Sequence, residues 1–427
     1  MTIIEKYQKA APLFFDAHNP QKLQARRHAL DHFNEMGLPT RHIDDWKYTD
    51  LSRFALDTFH PVQTLNKTVS LDNPESIHPL LIDPKSSKQW VFYNGQALKE
   101  FSPTLFLMDK FNASNSETRA SLAPKHNLPM STMFFKNGLQ ALNQAFHHNG
   151  AYLVLPKKSV IHDPIYIVHV IDSETVPLMG HPQNSILVEE NCHATLIEIV
   201  INRGKKAAFT NTVTNIKLAK NATLSHLFLQ RSDSPSTQIA HIHVEAAEES
   251  CYRGTNITLG GSVNRTSFEI DLNGMHSECE FQSLEIASQH TQMDVHLTVN
   301  HHQPHCESRT LTRGVIKDHA KASFTGKIVV HKNAHQTIAS LENKNMLLSM
   351  NAEANTRPQL EIYNHDIQCS HGATVGHLDP DALFYLQSRG VPKDEAEQLL
   401  INSFIYPSLE GLPPDAQQYI EALINEQ

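Results

Sequence analysis

Residues 185–201 read SILVEENCHATLIEIVI: a short alternating apolar run, a small polar turn around EENCHA, and a second run rich in β-branched residues. Alternation at a period of two puts residues i and i+2 on one face of an extended chain, so each run reads as a strand with a buried face. The same unit recurs in both directions. AYLVL and PIYIVHV precede it, and NIKLA, ATLSHLFL, IHVEA, SFEIDL, FQSLEI and DVHLTV follow. Turns at AKNAT (219), AEES (247), NGMHSE (273) and KDHAKAS (317) separate the runs, mostly about 25 to 30 residues apart, a period typical of stacked repeats. Strands on such a repeat with no intervening helices predict a stacked β-helix, and a β-sandwich would produce similar alternation.

The flanks differ in character. From Asn19 and Pro20 the spacing of Leu23, Leu30 and Phe33 predicts a helix that Gly37 stops, and the first 60 residues read as helical. WVFYNGQ at 90–96 predicts a strand running into a tight Asn-Gly turn. Residues 102–149 read as short helices and loops. At the other end Asp379 can cap a helix with Pro380 at its first position and Gly390 as its stop. Ala396, Leu399, Leu400 and Phe404 share a face of the next helix, and a third pattern starts at Asp415.

The chain has 427 residues, a net charge of −9 and no basic stripe, so nucleic acid is not an expected partner. No run of about 18 apolar residues predicts a membrane helix, and the N-terminus lacks the apolar segment of an export signal. Five widely spread cysteines with no CxxC pair suit free thiols in a reducing compartment, and a cytoplasmic location is expected. There is no phosphate loop, no GxGxxG, no GxSxG and no HExxH, so the chain is not expected to be an enzyme and any ATP hydrolysis must come from another chain.

With 28 histidines, nearly as many as lysine and arginine together, metal binding has to be considered. Cys369 and His371 follow the strand-like LEIYNHDIQ and stand two apart, which puts a thiol and an imidazole on one face. Together they suit iron or zinc but cannot close a four-ligand site, so other ligands would come from elsewhere or from a partner. The alternative is a packed cysteine beside a surface histidine. His301-His302-Gln303-Pro304-His305-Cys306 is a second ligand-type cluster in a turn, otherwise a solvated loop. For His241-Ile242-His243 the alternation predicts Ile242 inward and a solvent-facing histidine pair. DDWKYTDL, residues 44–51, reads either as a binding surface or as a helix end packing its aromatics.

GLPTRHIDDWKYTDL from 37, HPQNSILVEENCHATLIEI from 181, FTGKIVVHKNAHQT from 324 and NTRPQLEIYNHDIQCSHGATVGHLDPDALFYLQSRGV from 355 resemble, in order, the SufB/SufD family of iron-sulfur cluster assembly proteins. The resemblance implies a mainly β fold: a helical N-terminal domain (1–150), a right-handed parallel β-helix core (151–375) and a C-terminal helical domain (376–427). It implies a scaffold that pairs with a SufB-like paralogue through the β-helix. It also implies that a SufC-like ATPase docks on residues 379–427, with a homodimer as the alternative assembly of the isolated chain. SufB-like chains usually carry His-Glu-Ala where this sequence has His371-Gly372-Ala373, and a scaffold cysteine near the position of Ala352. Both departures place the chain on the SufD side of the family. His371 is then expected to offer its imidazole across the heterodimer to a nascent iron-sulfur cluster shared with the partner, with Cys369 as its companion. The rival readings are a carbohydrate-active β-helix enzyme and a metal-buffering protein centred on residues 301–306.

Overall fold

The computed structural model describes residues 5, 20–51, 58–62, 74–98, 100–101, 119–121, 135–147 and 150–426. Helix α1 (Pro20–Met36) ends at Gly37, which takes a positive φ, and precedes a 3-10 turn at Asp44–Trp46. Short strands β1 (His60–Pro61), β2 (Gln89–Tyr93), β3 (Gln96–Ala97) and β4 (Arg119–Ser121) come next, and Asn94-Gly95 makes the tight turn between antiparallel β2 and β3. Helix α2 (Gly138–Phe146) is capped by the Asn137 side chain, which accepts from two backbone amides. The helical expectation for residues 6–19 and 52–57, and most of that for 102–149, lies outside the described residues.

The repeat begins with β5 (Tyr152–Leu155), β6 (Ile165–Asp172), β7 (Leu178–Gly180), β8 (Gln183–Val188), β9 (His193–Arg203) and β10 (Ala208–Leu218). It continues with β11 (Thr223–Ser232), β12 (Ser236–Ala246), β13 (Cys251–Gly260), β14 (Val263–Leu272), β15 (Glu278–Ala287) and β16 (Gln292–His301). It closes with β17 (Glu307–Ile316), β18 (Lys321–Val330), β19 (Thr337–Leu347), β20 (Glu353–Ile362) and β21 (Ile367–His377). From β8 onward every strand pairs in parallel with the strand two further along, so even-numbered and odd-numbered strands build two separate sheets. The result is a parallel β-solenoid of about eight turns, the stacked architecture that the repeat predicts, and not a sandwich.

Corner geometry sets the repeat length. Asn191, Asn221, Glu249, His276, His305 and Gln336 all take positive φ at one corner, and Asn221 Nδ2 donates to Asn191 Oδ1 at 2.8 Å between successive turns. Gln289 and Asp318, also at positive φ, sit at the opposite corner, so KDHAKAS belongs to a different stack from the other four turns. Asparagine tolerates this left-handed conformation through local hydrogen bonding, and a β-branched residue would not.

Inside, Leu196, Phe228, Ile242, Phe268, Phe281, Val295, Leu297, Phe324 and Leu341 form one continuous core between the sheets. The outer faces are covered as well. Ile405, Leu409, Ala416, Ile420 and Leu423 pack on Ile199, Leu229, Ile257 and Leu284 of the odd-numbered sheet. They belong to α4 (Lys393–Ile405), which follows α3 (Pro380–Ser388), and to the chain through α5 (Pro414–Asn425). On the even-numbered sheet Phe33, Trp46, Leu139 and Phe146 cover Phe209 and Ile239. Asp379 caps α3 and Gly390 closes it, as the sequence predicts.

Candidate functional site

Both sheets end at the last turn of the solenoid, where β20 and β21 have no further strand beyond them among the described residues. Partial exposure runs the length of β20, and β21 is exposed over most of its length. A strand edge with unpaired backbone groups and open side chains is a template for another chain. Ile362, Tyr363 and Val375 are exposed there, and a Cβ at Gly372 or Gly376 would meet nothing within 4 Å.

β21 aligns Cys369 with Ala339 and His371 with Leu341 of β19. Ala339 and Leu341 belong to the interior core, and half-buried Cys369 packs against it. The period of two therefore puts His371 on the same, inward-facing side, at the uncovered end, where its side chain is exposed. The spacing of the pair did bring thiol and imidazole to one face. Burial raises the Cys369 thiol above its usual value, against the lowering effect of the Ala339 backbone hydrogen bond, so thiolate is not its resting form. Ala352 is buried at a corner among Ala287, Met293 and Ala320.

The other clusters resolve differently. His301 and Cys306 are fully buried: His301 shares a hydrogen bond with Ser308 Oγ at 2.9 Å, and Cys306 contacts Ser277 Oγ at 3.3 Å. Residues 301–306 are thus a packed corner and not a solvated loop, and burial lowers the His301 pKa to about 4. His302 stacks on His331 at 4.3 Å and His305 on His276 at 4.7 Å, each pair one turn apart. Among the described residues no group of three or more histidine, cysteine or carboxylate side chains is arranged to hold a metal.

The expectation of a solvent-facing His241–His243 pair is corrected. Ile242 does face the core, and His243 meets Asp271 at 2.8 Å, but His241 is buried, with a pKa lowered to about 3, mainly by burial. The outer face here is under protein rather than water. Trp46 lies 6.4 Å from the His241 ring and 4.0 Å from the Arg265 guanidinium, which is ion-paired with Asp294. Thr49 Oγ1 donates to Asp294 at 2.6 Å, and Asp44 reaches Arg357 on β20 at 3.4 Å. DDWKYTDL is therefore a strap lying across the even-numbered sheet, with Trp46 packed inward. Sequence reasoning missed the Arg265–Asp294 pair; two opposite charges in strands 29 residues apart were the only signal.

The class of protein defined so far is a two-sheet parallel solenoid whose last turn is open and carries an exposed histidine. Residues 169–404 match the SUF system FeS cluster assembly SufBD core domain, and residues 2–167 match the SufBD protein N-terminal region. The chain belongs to the SufBD family of iron-sulfur cluster assembly proteins. It is 28% identical over 403 residues to the iron-sulfur cluster assembly protein SufD of Escherichia coli, covering 93% of this chain and 91% of that one. It is 28% identical over 401 residues to the SufBD family protein slr0076 of Synechocystis, covering 91% and 87%. The SufD of Bacillus subtilis is 25% identical over 402 residues, covering 91% and 89%.

Proposed function

We propose that this chain is the SufD-type, non-catalytic half of a cytoplasmic SufBCD-type scaffold. It pairs through its open last turn with a SufB-like paralogue, which brings the remaining ligands, and the nascent iron-sulfur cluster forms at that junction. The observation that carries this reading is His371, exposed and without a side-chain partner among the described residues, beside Cys369 on the inward side of a terminal strand that pairs on one edge only. Imidazole is a borderline ligand that suits iron, and a site two ligands short needs a second chain.

The SufC-like ATPase docks on residues 379–427. Supporting this, no residue of α3 is buried, and Phe384 and Tyr385 are 72% and 57% exposed. Large exposed aromatics on a helix mark interaction surfaces.

Co-expression of the chain with SufB-like and SufC-like proteins tests the reading. The isolated complex carrying His371→Ala is expected to keep its subunits and lose most of its bound iron and sulfide. Undiminished clusters in that complex would remove His371 from the site.

A further inference from the structure

Under the strap, on the outer face of the even-numbered sheet, three metal-ligating side chains meet with their ligand atoms unused. Asp294 and His296 stand two apart on β16 and so share that face. His241 on β12 is in register with Ser267 on β14, and Ser267 with His296. The two histidines are therefore two strand spacings apart, roughly 9.6 Å, and they act on each other electrostatically. His241 Nε2, Asp294 Oδ1 and His296 Nε2 are all buried and receive no hydrogen bond from described residues. The last two lie 3.6 Å apart. Asp294 is fixed through its other oxygen, which accepts from Thr49 Oγ1 at 2.6 Å and from Arg265 Nη1.

Two imidazoles and one carboxylate are a donor set that suits iron(II) and zinc. Bonds of about 2.1 Å at a tetrahedral angle place two donor atoms roughly 3.4 Å apart, close to the Asp294–His296 separation. Two imidazoles on one such ion put their β-carbons roughly 9 Å apart, close to two strand spacings. As the side chains stand, the three do not enclose a common point. His241 and His296 line a cavity of about 460 Å³ with Asp45, Trp46 and Ser267, which gives the His241 ring room to turn towards Asp294. Exposed Asp45 and Lys136, also lining it, mark its way out to solvent.

The surrounding charges favour a cation. Asp294 and Asp45 act on Arg265, and Asp44 is paired with Arg357, so three carboxylates face two guanidinium groups. Glu269 with Lys136 and Asp271 with His243 form neutral pairs further along the cavity.

We propose that His241, Asp294 and His296 bind one divalent transition ion of the iron(II) and zinc class, with water completing its coordination. The site is separate from the open end and stands independently of how that end is used. The ion joins β12 to β16 beneath the strap, and because it binds only the folded chain it stabilises the fold.

The chain carries 28 histidines, so the test must separate this site from adventitious surface binding. Cobalt(II) added to the chelator-treated full chain is expected to fill one strong site and give visible ligand-field bands. It should also quench, saturably, the emission of Trp46, whose ring lies 6.4 Å from that of His241. Binding should weaken at least tenfold in His241→Phe and in His296→Gln and stay unchanged in His302→Ala. Zinc should displace the cobalt, and a large excess of magnesium should not. The melting temperature should rise with metal in the unmodified chain and in His302→Ala but not in His241→Phe. Absence of a saturable site, binding that either ligand substitution leaves unchanged, or displacement by magnesium would overturn the proposal and leave water alone on these atoms. Should a variant fail to fold, the quenching and the zinc–magnesium contrast in the unmodified chain decide the question.

Discussion

Arg265 is the largest fully buried side chain among the described residues, and its guanidinium satisfies two separate demands. It neutralises buried Asp294 from the neighbouring strand and offers a flat face to Trp46. Removing one partner of a buried pair leaves an uncompensated charge, which costs about 3–5 kcal/mol. Arg265→Ala is therefore expected to lose about that much stability in a denaturant titration, with Asp294 stranded beneath the strap. His371 has the opposite character: it holds nothing together, so its replacement should alter iron content and leave the melting temperature unchanged. Both residues are plain in the sequence, yet only their surroundings separate a buried structural charge from an exposed imidazole. The Cys369–His371 pair was legible because a strand fixes what i and i+2 do. His241 was not, because the layer lying on its strand comes from residues nearly 200 positions earlier.

Strand β15 carries a pH dependence of its own. Glu285 has a folded pKa raised from 4.5 to about 7, so between these values the folded chain binds more protons than the unfolded one. Its contribution is fully present below pH 4.5 and is lost as pH rises towards about 7. Across that window the stability of the unmodified chain relative to Glu285→Gln is expected to fall by about 3 kcal/mol, checked by parallel urea titrations. A pH-independent difference would mean that the carboxyl does not titrate there. Among the elements, the turns were the most readable. Asn191 and Asn221 announce left-handed corners, and Asp379, Pro380 and Gly390 frame α3 as their chemistry requires. Less readable was the odd-numbered sheet, whose outer residues Ile199, Leu229 and Leu284 are as buried as its inner ones. When both faces are covered the alternation of polar and apolar positions fades, which leaves β-branched content and turn spacing as the guide.

At the scale of the whole molecule, one end of the coil has helices and short strands about it while the other ends on open strands. Stacked repeats stay soluble when each end is capped, and among the described residues no element caps β20 and β21. The helices after the coil divide their labour. α4 and α5 fasten onto the odd-numbered sheet through Ile405, Ile420 and Leu423, whereas α3 stands free with Phe384 outermost. On the proposed docking of a SufC-like ATPase at α3, Phe384→Asp is expected to weaken that binding by about 2 kcal/mol or more, measured by titration calorimetry, with the fold intact. An unchanged affinity would move the docking surface elsewhere.

Sequence alone determined the coil, because strand alternation, left-handed corner residues and repeat length are local properties that each turn states again. It also determined which residue types face inward on the last strand, and the motifs from residue 355 to residue 391 identified the family. Tertiary structure decided what covers each face and what stays open. Whether a histidine lies under Trp46 or in solvent, and whether a glutamate keeps its proton, depends on segments far away in the chain that set the local dielectric. Those contacts are long-range, and no local pattern encodes them.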